Sequence, residues 1–147
     1  MMYKNYMEQA FAEARKAYNK NEVPVGAVIV KNGEIIATGR NNREETGDAT
    51  GHAETLAIRE ACEKLGTWRL DDCELYVTLE PCPMCMGAII NSRIKRVVFG
   101  AKDAKAGACG SVINLNNYPF NHKPEIASGI MSEECQHILS DFFSNKR

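Results

Sequence analysis

ELYVTLEPCPMCMGAIINSRIKRVVF, residues 74–99, decides the fold class. Glu74 to Leu79 is an apolar, partly β-branched run of strand length, Pro83 to Ser92 has helical composition after Pro81, and Arg96 to Phe99 is again a short strand-like run. Two strands joined through a crossover helix pair in parallel. Upstream, the β-branched runs Val25 to Val30 and Glu34 to Gly39 flank Asn32-Gly33, a dipeptide that accepts the positive φ angles of a tight hairpin turn, so these two strands pair antiparallel. The two arrangements together predict a mixed central sheet covered by helices on both faces, a three-layer α/β/α architecture.

Outward from this centre, Tyr3, Tyr6, Met7, Ala10, Ala14, Ala17 and Tyr18 recur at three- and four-residue spacing and predict an amphipathic first helix. Asn41 to Thr50 reads as a polar loop that delivers the chain into His52, and Gly51 to Leu65 as a helix stopped by Gly66. Residues 101–124 hold Gly107, Gly110, Asn116, Asn117 and Pro119, too much turn chemistry for a long regular element. A last helix is expected with Ser132 as its cap, Glu133 and Glu134 at its positive end, and Cys135, Ile138, Leu139 and Phe142 on one face.

The 147 residues are 44% apolar and 25% charged, without low-complexity stretches or internal repeats, so a single domain spanning 1–147 is expected. The longest apolar run, Val23 to Val30, is broken by Pro24 and Gly26 and is far short of the ~20 residues that cross a bilayer. The N-terminus lacks the apolar core of a signal peptide and carries Glu8 and Glu13, which points to the cytoplasm. A net charge of −1 excludes a globally basic nucleic-acid binder. Between Arg93 and Lys123, however, six basic residues stand against Asp103 alone, and this stretch reads as a solvated basic face. Of six cysteines only Cys82 and Cys85 are closely paired; the other four read as lone thiols without function.

Those two cysteines open one expected helix, and His52-Ala53-Glu54 opens another. Thiolates three residues apart at a positive helix end can face one point. One His nitrogen and two Cys sulfurs suit zinc, and three protein ligands leave a fourth position open, as in catalytic sites. Glu54 lies near such an ion without binding it, and a neighbouring carboxylate can move the proton of a zinc-activated water whose pKa is lowered to about 7. A Cys-x-x-Cys also suits half of a structural zinc site, with Cys109 as a further ligand, or a redox pair. The H-x-E with P-C-x-x-C combination is the signature of zinc nucleobase deaminases.

On EVPVGAVIV (22–30), GHAETLAIREA (51–61), LYVTLEPCPMCMGAIINSRIKRVVFGAKDAKAGACGS (75–111), FNHKPEI and LSDFF, the sequence resembles the cytidine-deaminase-like superfamily and, within it, the bacterial tRNA adenosine deaminases. The zinc motifs are common to the superfamily; the stretches after Gly100 resemble the tRNA-editing branch. The resemblance implies a cytidine-deaminase-like fold with a mixed central sheet of about five strands, and a homodimer that hydrolytically converts adenosine to inosine at the wobble position of a tRNA anticodon, typically of an arginine tRNA. It implies zinc held by His52, Cys82 and Cys85, and Glu54 as the proton shuttle. It further implies Val25 lining the base pocket, Asn41 contacting the target nucleotide, and Asp103, Lys105, Asn121, His122 and Phe143 near the anticodon loop.

The chain departs from the family at Asp48-Ala49-Thr50-Gly51, which lacks a proline after the aspartate and an alanine before His52, and a less rigid loop is expected there. It departs again at its short tail, Ser144-Asn145-Lys146-Arg147, where weaker phosphate anchoring is expected. Two other functions use the same residues: deamination of a free base or nucleoside such as guanine or cytosine, and a non-catalytic, zinc-stabilised RNA-binding module that would not need Glu54.

Overall fold

The computed structural model describes residues 2–145, the side chain of Met2 excepted; the part of the tail at Lys146 and Arg147 lies outside it. The chain runs α1 (Met2–Asn19), β1 (Gly26–Lys31), β2 (Glu34–Arg40), α2 (Arg43–Thr46), α3 (Ala53–Leu65), β3 (Cys73–Leu79), α4 (Pro83–Asn91), β4 (Arg96–Ala101), β5 (Glu125–Ser128) and α5 (Ser132–Ser144). The strands form one sheet in the order β2-β1-β3-β4-β5. The pairs β1/β2 and β1/β3 are antiparallel, and β3/β4 and β4/β5 are parallel, as the strand-helix-strand stretch requires. The hairpin turns on Asn32 (φ 52°) and Gly33 (φ 79°).

Strand residues alternate between two cores, which is why the central strands are apolar almost without interruption. Ala27, Ile29, Leu75, Val77, Val97 and Phe99 point toward α3 and α4. Val28, Val30, Tyr76 and Val98 point toward Met7 and Ala10 of α1. Beside α1, α5 packs on the same face, its Cys135 against Phe11 and Ala101. Small residues bring the layers close: at Gly39 a Cβ would lie 2.1 Å from the Ala53 carbonyl oxygen, so α3 rests directly on β2.

Three details differ from the sequence expectation. The polar loop after Asn41 contains the short helix α2, whose Glu44 and Glu45 N–H groups donate to the buried Glu22 carboxylate (3.1 and 2.7 Å). A carboxylate 22 residues upstream leaves no local pattern to read. Ser132 is the first helical residue of α5 and not its cap; Met131, in a left-handed conformation (φ 58°), takes that position because the chain turns sharply after Gly129. The fifth strand is the four residues Glu125–Ser128, too short for alternation to identify, and it is fixed by pairing with β4.

Candidate active site

Two helix N-termini meet at one point. The chain leaves β3 through Glu80 and Pro81, and Cys82 sits in extended conformation (φ −77°, ψ 173°) ahead of α4, with Pro83 as its first helical residue. Proline there fixes φ and lacks the N–H that a first turn would leave unpaired. Cys85, one turn on, is fully buried. His52 takes the equivalent position ahead of α3, its N–H donating to Thr55 Oγ1 (3.3 Å). The Asn41 side chain caps the same helix from the end of β2, Oδ1 accepting the Ala53 N–H at 2.8 Å. The 48–51 turn is held by Asp48, whose Oδ1 accepts from Thr50 N–H and Oγ1–H (2.8 and 2.7 Å), a restraint on a loop that lacks proline.

His52 Nδ1 lies 3.7 Å from Cys82 Sγ and 3.4 Å from Cys85 Sγ, and the three ligand atoms lie within 4.8 Å of one another. A tetrahedral zinc with bonds of about 2.05 Å to nitrogen and 2.3 Å to sulfur separates those atoms by about 3.6 Å, so donor set and spacing both fit the ion. Cys109 is not in this group: its Sγ contacts Met86 Sδ at 3.6 Å, and burial pushes its thiol up to about 12. Three protein ligands among the described residues match an open site better than a closed structural one.

The S–H of Cys85 stabilises the Cys82 thiolate, bringing that thiol down to about 4, while the same bond and burial hold Cys85 far above the usual thiol range. The hydrogen bond with Cys82 raises His52 above the usual imidazole value. Glu54, in the first turn of α3 and 4% exposed, is pushed up to about 7, chiefly by burial and next by the Cys82 thiolate. A carboxyl that changes protonation near neutrality suits a group that takes and returns a proton.

Cys85 is fully buried, while His52, Glu54 and Cys82 line the floor of a cleft of about 720 Å³. Val25, Asn41, Asp103, Lys105 and Phe143 all line it, Phe143 from α5 with its ring exposed. Asn121 and His122 do not: His122 Nε2 bonds the Ile94 carbonyl oxygen at 2.6 Å beside the start of β4, whereas the cleft lies at the other end of that strand. The stretch from Arg93 to Lys123 is therefore not one basic face. Arg93 caps α4 through the Ile90 and Asn91 carbonyls, Arg96 pairs with Glu74 and Glu125, and only Lys102 and Lys105 of that run reach the cleft.

Among the charged lining residues, Arg43 and Glu80 escaped the sequence reading. Arg43 is brought to the cleft by α2, and Glu80 stands at its base, 2% exposed. Burial raises the Glu80 carboxyl, but hydrogen bonds from the Ser111 hydroxyl and from the Asp103, Ser111 and Cys109 amides outweigh it and hold the group below the usual carboxylate value. A glutamate directly before Pro-Cys was a visible signal; its partners, 23 to 31 residues away, were not.

The MafB19-like deaminase family model matches residues 1–147. The chain is 54% identical to a tRNA-specific adenosine deaminase of Bacillus subtilis over 143 residues, covering 97% of this chain and 89% of the relative. It is 49% identical to a tRNA-specific adenosine deaminase of Rickettsia typhi over 144 residues, covering 96% and 97%. A solved structure from studies of A-to-I editing by tRNA:A34 deaminases at the wobble position of transfer RNA superposes with a TM-score of 0.90 at 46% identity, covering 92% of this chain and 99% of that one.

Proposed function

The chain belongs to the MafB19-like deaminase family and is a hydrolytic deaminase with the cytidine-deaminase-like fold, and from that premise we propose that it converts adenosine to inosine at the wobble position of a tRNA anticodon, an arginine tRNA in the first instance. One observation carries this: the buried Glu54, with His52 and Cys82 of the His52, Cys82, Cys85 group, lines a cleft whose wall includes Asp103, Lys105 and Phe143, in a chain about half identical to tRNA-specific adenosine deaminases over nearly its whole length.

His52, Cys82 and Cys85 would hold one zinc ion per subunit. Bound there, zinc would supply a water that ionises near neutral pH. Glu54 takes one proton from the attacking water and delivers it to N1 of the adenine ring as the water oxygen bonds to C6; the remaining hydroxyl proton passes through Glu54 to the exocyclic nitrogen, the C6–N bond breaks, ammonia leaves and the C6 carbonyl of inosine forms. Val25 packs against the base and Asn41 holds the target nucleotide. Anticodon bases are unpaired, so placing one in a cleft this deep costs little unstacking. Lys105 and Lys102, with Arg43 across the cleft, are positioned to meet flanking phosphates, and Phe143 offers a ring for a neighbouring base.

The 147 residues act as one catalytic domain in the cytoplasm, and no helix of the described residues is long and apolar enough to cross a membrane. A homodimer is supported by the exposed Val112, Ile113, Tyr118 and Phe120, an apolar surface of the kind a second copy covers. Asn121 and His122 adjoin that surface, so their route to RNA runs through the assembled dimer.

The test is incubation of the zinc-loaded protein with an anticodon stem-loop carrying adenosine at the wobble position, in parallel with free adenosine, cytidine, cytosine and guanine. Inosine formed from the stem-loop alone supports the proposal. Turnover of a free base or nucleoside without the RNA overturns the substrate, and retained turnover in Glu54→Gln overturns the mechanism.

A further inference from the structure

We propose that Glu80 is the positioning residue for substrate recognition: from beneath the cleft its carboxylate gathers the 103–111 segment and sets the wall from which Asp103 and Lys105 meet the RNA. Glu80 is 2% exposed and forms no ion pair among the described residues. Oε1 accepts the Asp103 N–H (3.0 Å) and the Ser111 hydroxyl (2.5 Å); Oε2 accepts the N–H groups of Cys109 (2.9 Å) and Ser111 (3.1 Å). Four donors on one carboxylate clamp both ends of a nine-residue segment that contains no regular element.

Backbone bonds complete the arrangement. Glu80 N–H donates to the Ala101 carbonyl (2.8 Å), and Ala108 N–H to that of Pro81 (2.8 Å), so the segment is laid along the same stretch that carries Cys82. The middle of the segment presses on the carboxylate: a Cβ at Gly107 would lie 2.3 Å from Glu80 Cδ and 2.5 Å from each oxygen. Asp103 then uses Oδ1 to accept from Lys105 N–H (3.0 Å) and Ala106 N–H (3.1 Å), which turns the chain so that residues 102–106 line the cleft. The clamp thus acts on the wall, while the His52, Cys82, Cys85 group and Glu54 are held by α3 and α4. Losing it loosens the grip on RNA without altering the proton chemistry.

The inference rests on the RNA reading above. The experiment compares zinc-loaded wild type, Glu80→Gln, Glu80→Ala, Gly107→Ala and the Glu80→Ala/Gly107→Ala double variant on the wobble-adenosine stem-loop. Glu80→Gln turns an amide N–H₂ toward N–H donors, and Gly107→Ala crowds the carboxylate from the other side. For both, KM is expected to rise about tenfold with kcat held within about threefold and zinc content unchanged. Gly107→Ala is expected to add nothing further in the Glu80→Ala background, where its methyl has room. An unchanged KM, or a loss carried by kcat, in variants that keep their zinc overturns the role of Glu80. A wild type that ignores the stem-loop overturns the RNA reading and this inference with it, and that result is visible before any variant is made.

Discussion

The Ala53 carbonyl oxygen rests on Gly39: a Cβ at position 39 would lie 2.1 Å from it and 2.8 Å from the Ala57 amide nitrogen. Because Ala53 separates His52 from Glu54, this contact between β2 and α3 sets the height of both side chains above the sheet. Gly39→Ala is expected to destabilise the protein by about 2–4 kcal/mol, since backbone and not a flexible side chain must yield. Thermal unfolding measures this, and a zinc titration should show weaker binding as His52 is displaced. An unchanged melting temperature would show that α3 can lift freely.

Glu54→Gln keeps shape and removes the proton acceptor. It is expected to lower kcat by about 10²–10⁴-fold with zinc content unchanged. Single-turnover assay with metal analysis of the same preparation checks both halves of the statement.

Metal uptake is expected to release protons and to tighten as pH rises. Cys85 is held protonated by burial and by the Cys82 thiolate beside it, and a thiol must lose its proton to bind an ion. Calorimetry in buffers of different ionisation enthalpy counts the protons. Cys85→Ser should lose most of the affinity, whereas Cys109→Ser should keep it, since Cys109 contacts Met86 and lies outside the ligand group.

Lys105 is exposed on the cleft wall. Lys105→Ala is expected to reduce the slope of log K against log salt by about 1 for the stem-loop, as loss of one phosphate contact does. Arg93→Ala, whose guanidinium faces helix carbonyls at the other end of β4, should leave that slope alone.

The joint substitution Tyr118→Ser and Phe120→Ser removes two exposed rings 6.2 Å apart. It is expected to shift sedimentation toward the mass of a single chain. An unchanged sedimentation coefficient would count against the proposed contact between two copies at this surface.

What could be read in advance followed from local chemistry. Asn32-Gly33 specified its turn, the near-continuous apolar runs of β1, β3 and β4 specified strands buried on both faces, and His52, Cys82 and Cys85 were legible as a group because helix starts have fixed side-chain directions. What escaped depends on distant partners. Glu22 beneath α2 and Glu80 beneath the 103–111 segment are each buried carboxylates satisfied by backbone donors more than 20 residues away, and no spacing rule connects such partners. The basic run from Arg93 was misleading for the same reason: charge counted along the chain says nothing about Glu74 and Glu125, which absorb Arg96.

The capping bond from Asn41 to Ala53 also gives the cleft a chemical polarity. With Oδ1 turned toward the α3 backbone, the end of this amide left for a ligand is the N–H₂ group. Whatever part of a nucleotide rests against Asn41 through that group must offer a lone pair, and a substituent that presents only hydrogen there would meet hydrogen. A side chain recruited to finish a helix thus sets a hydrogen-bond donor in the cleft wall, and under the proposed function it would filter which face of the substrate can enter.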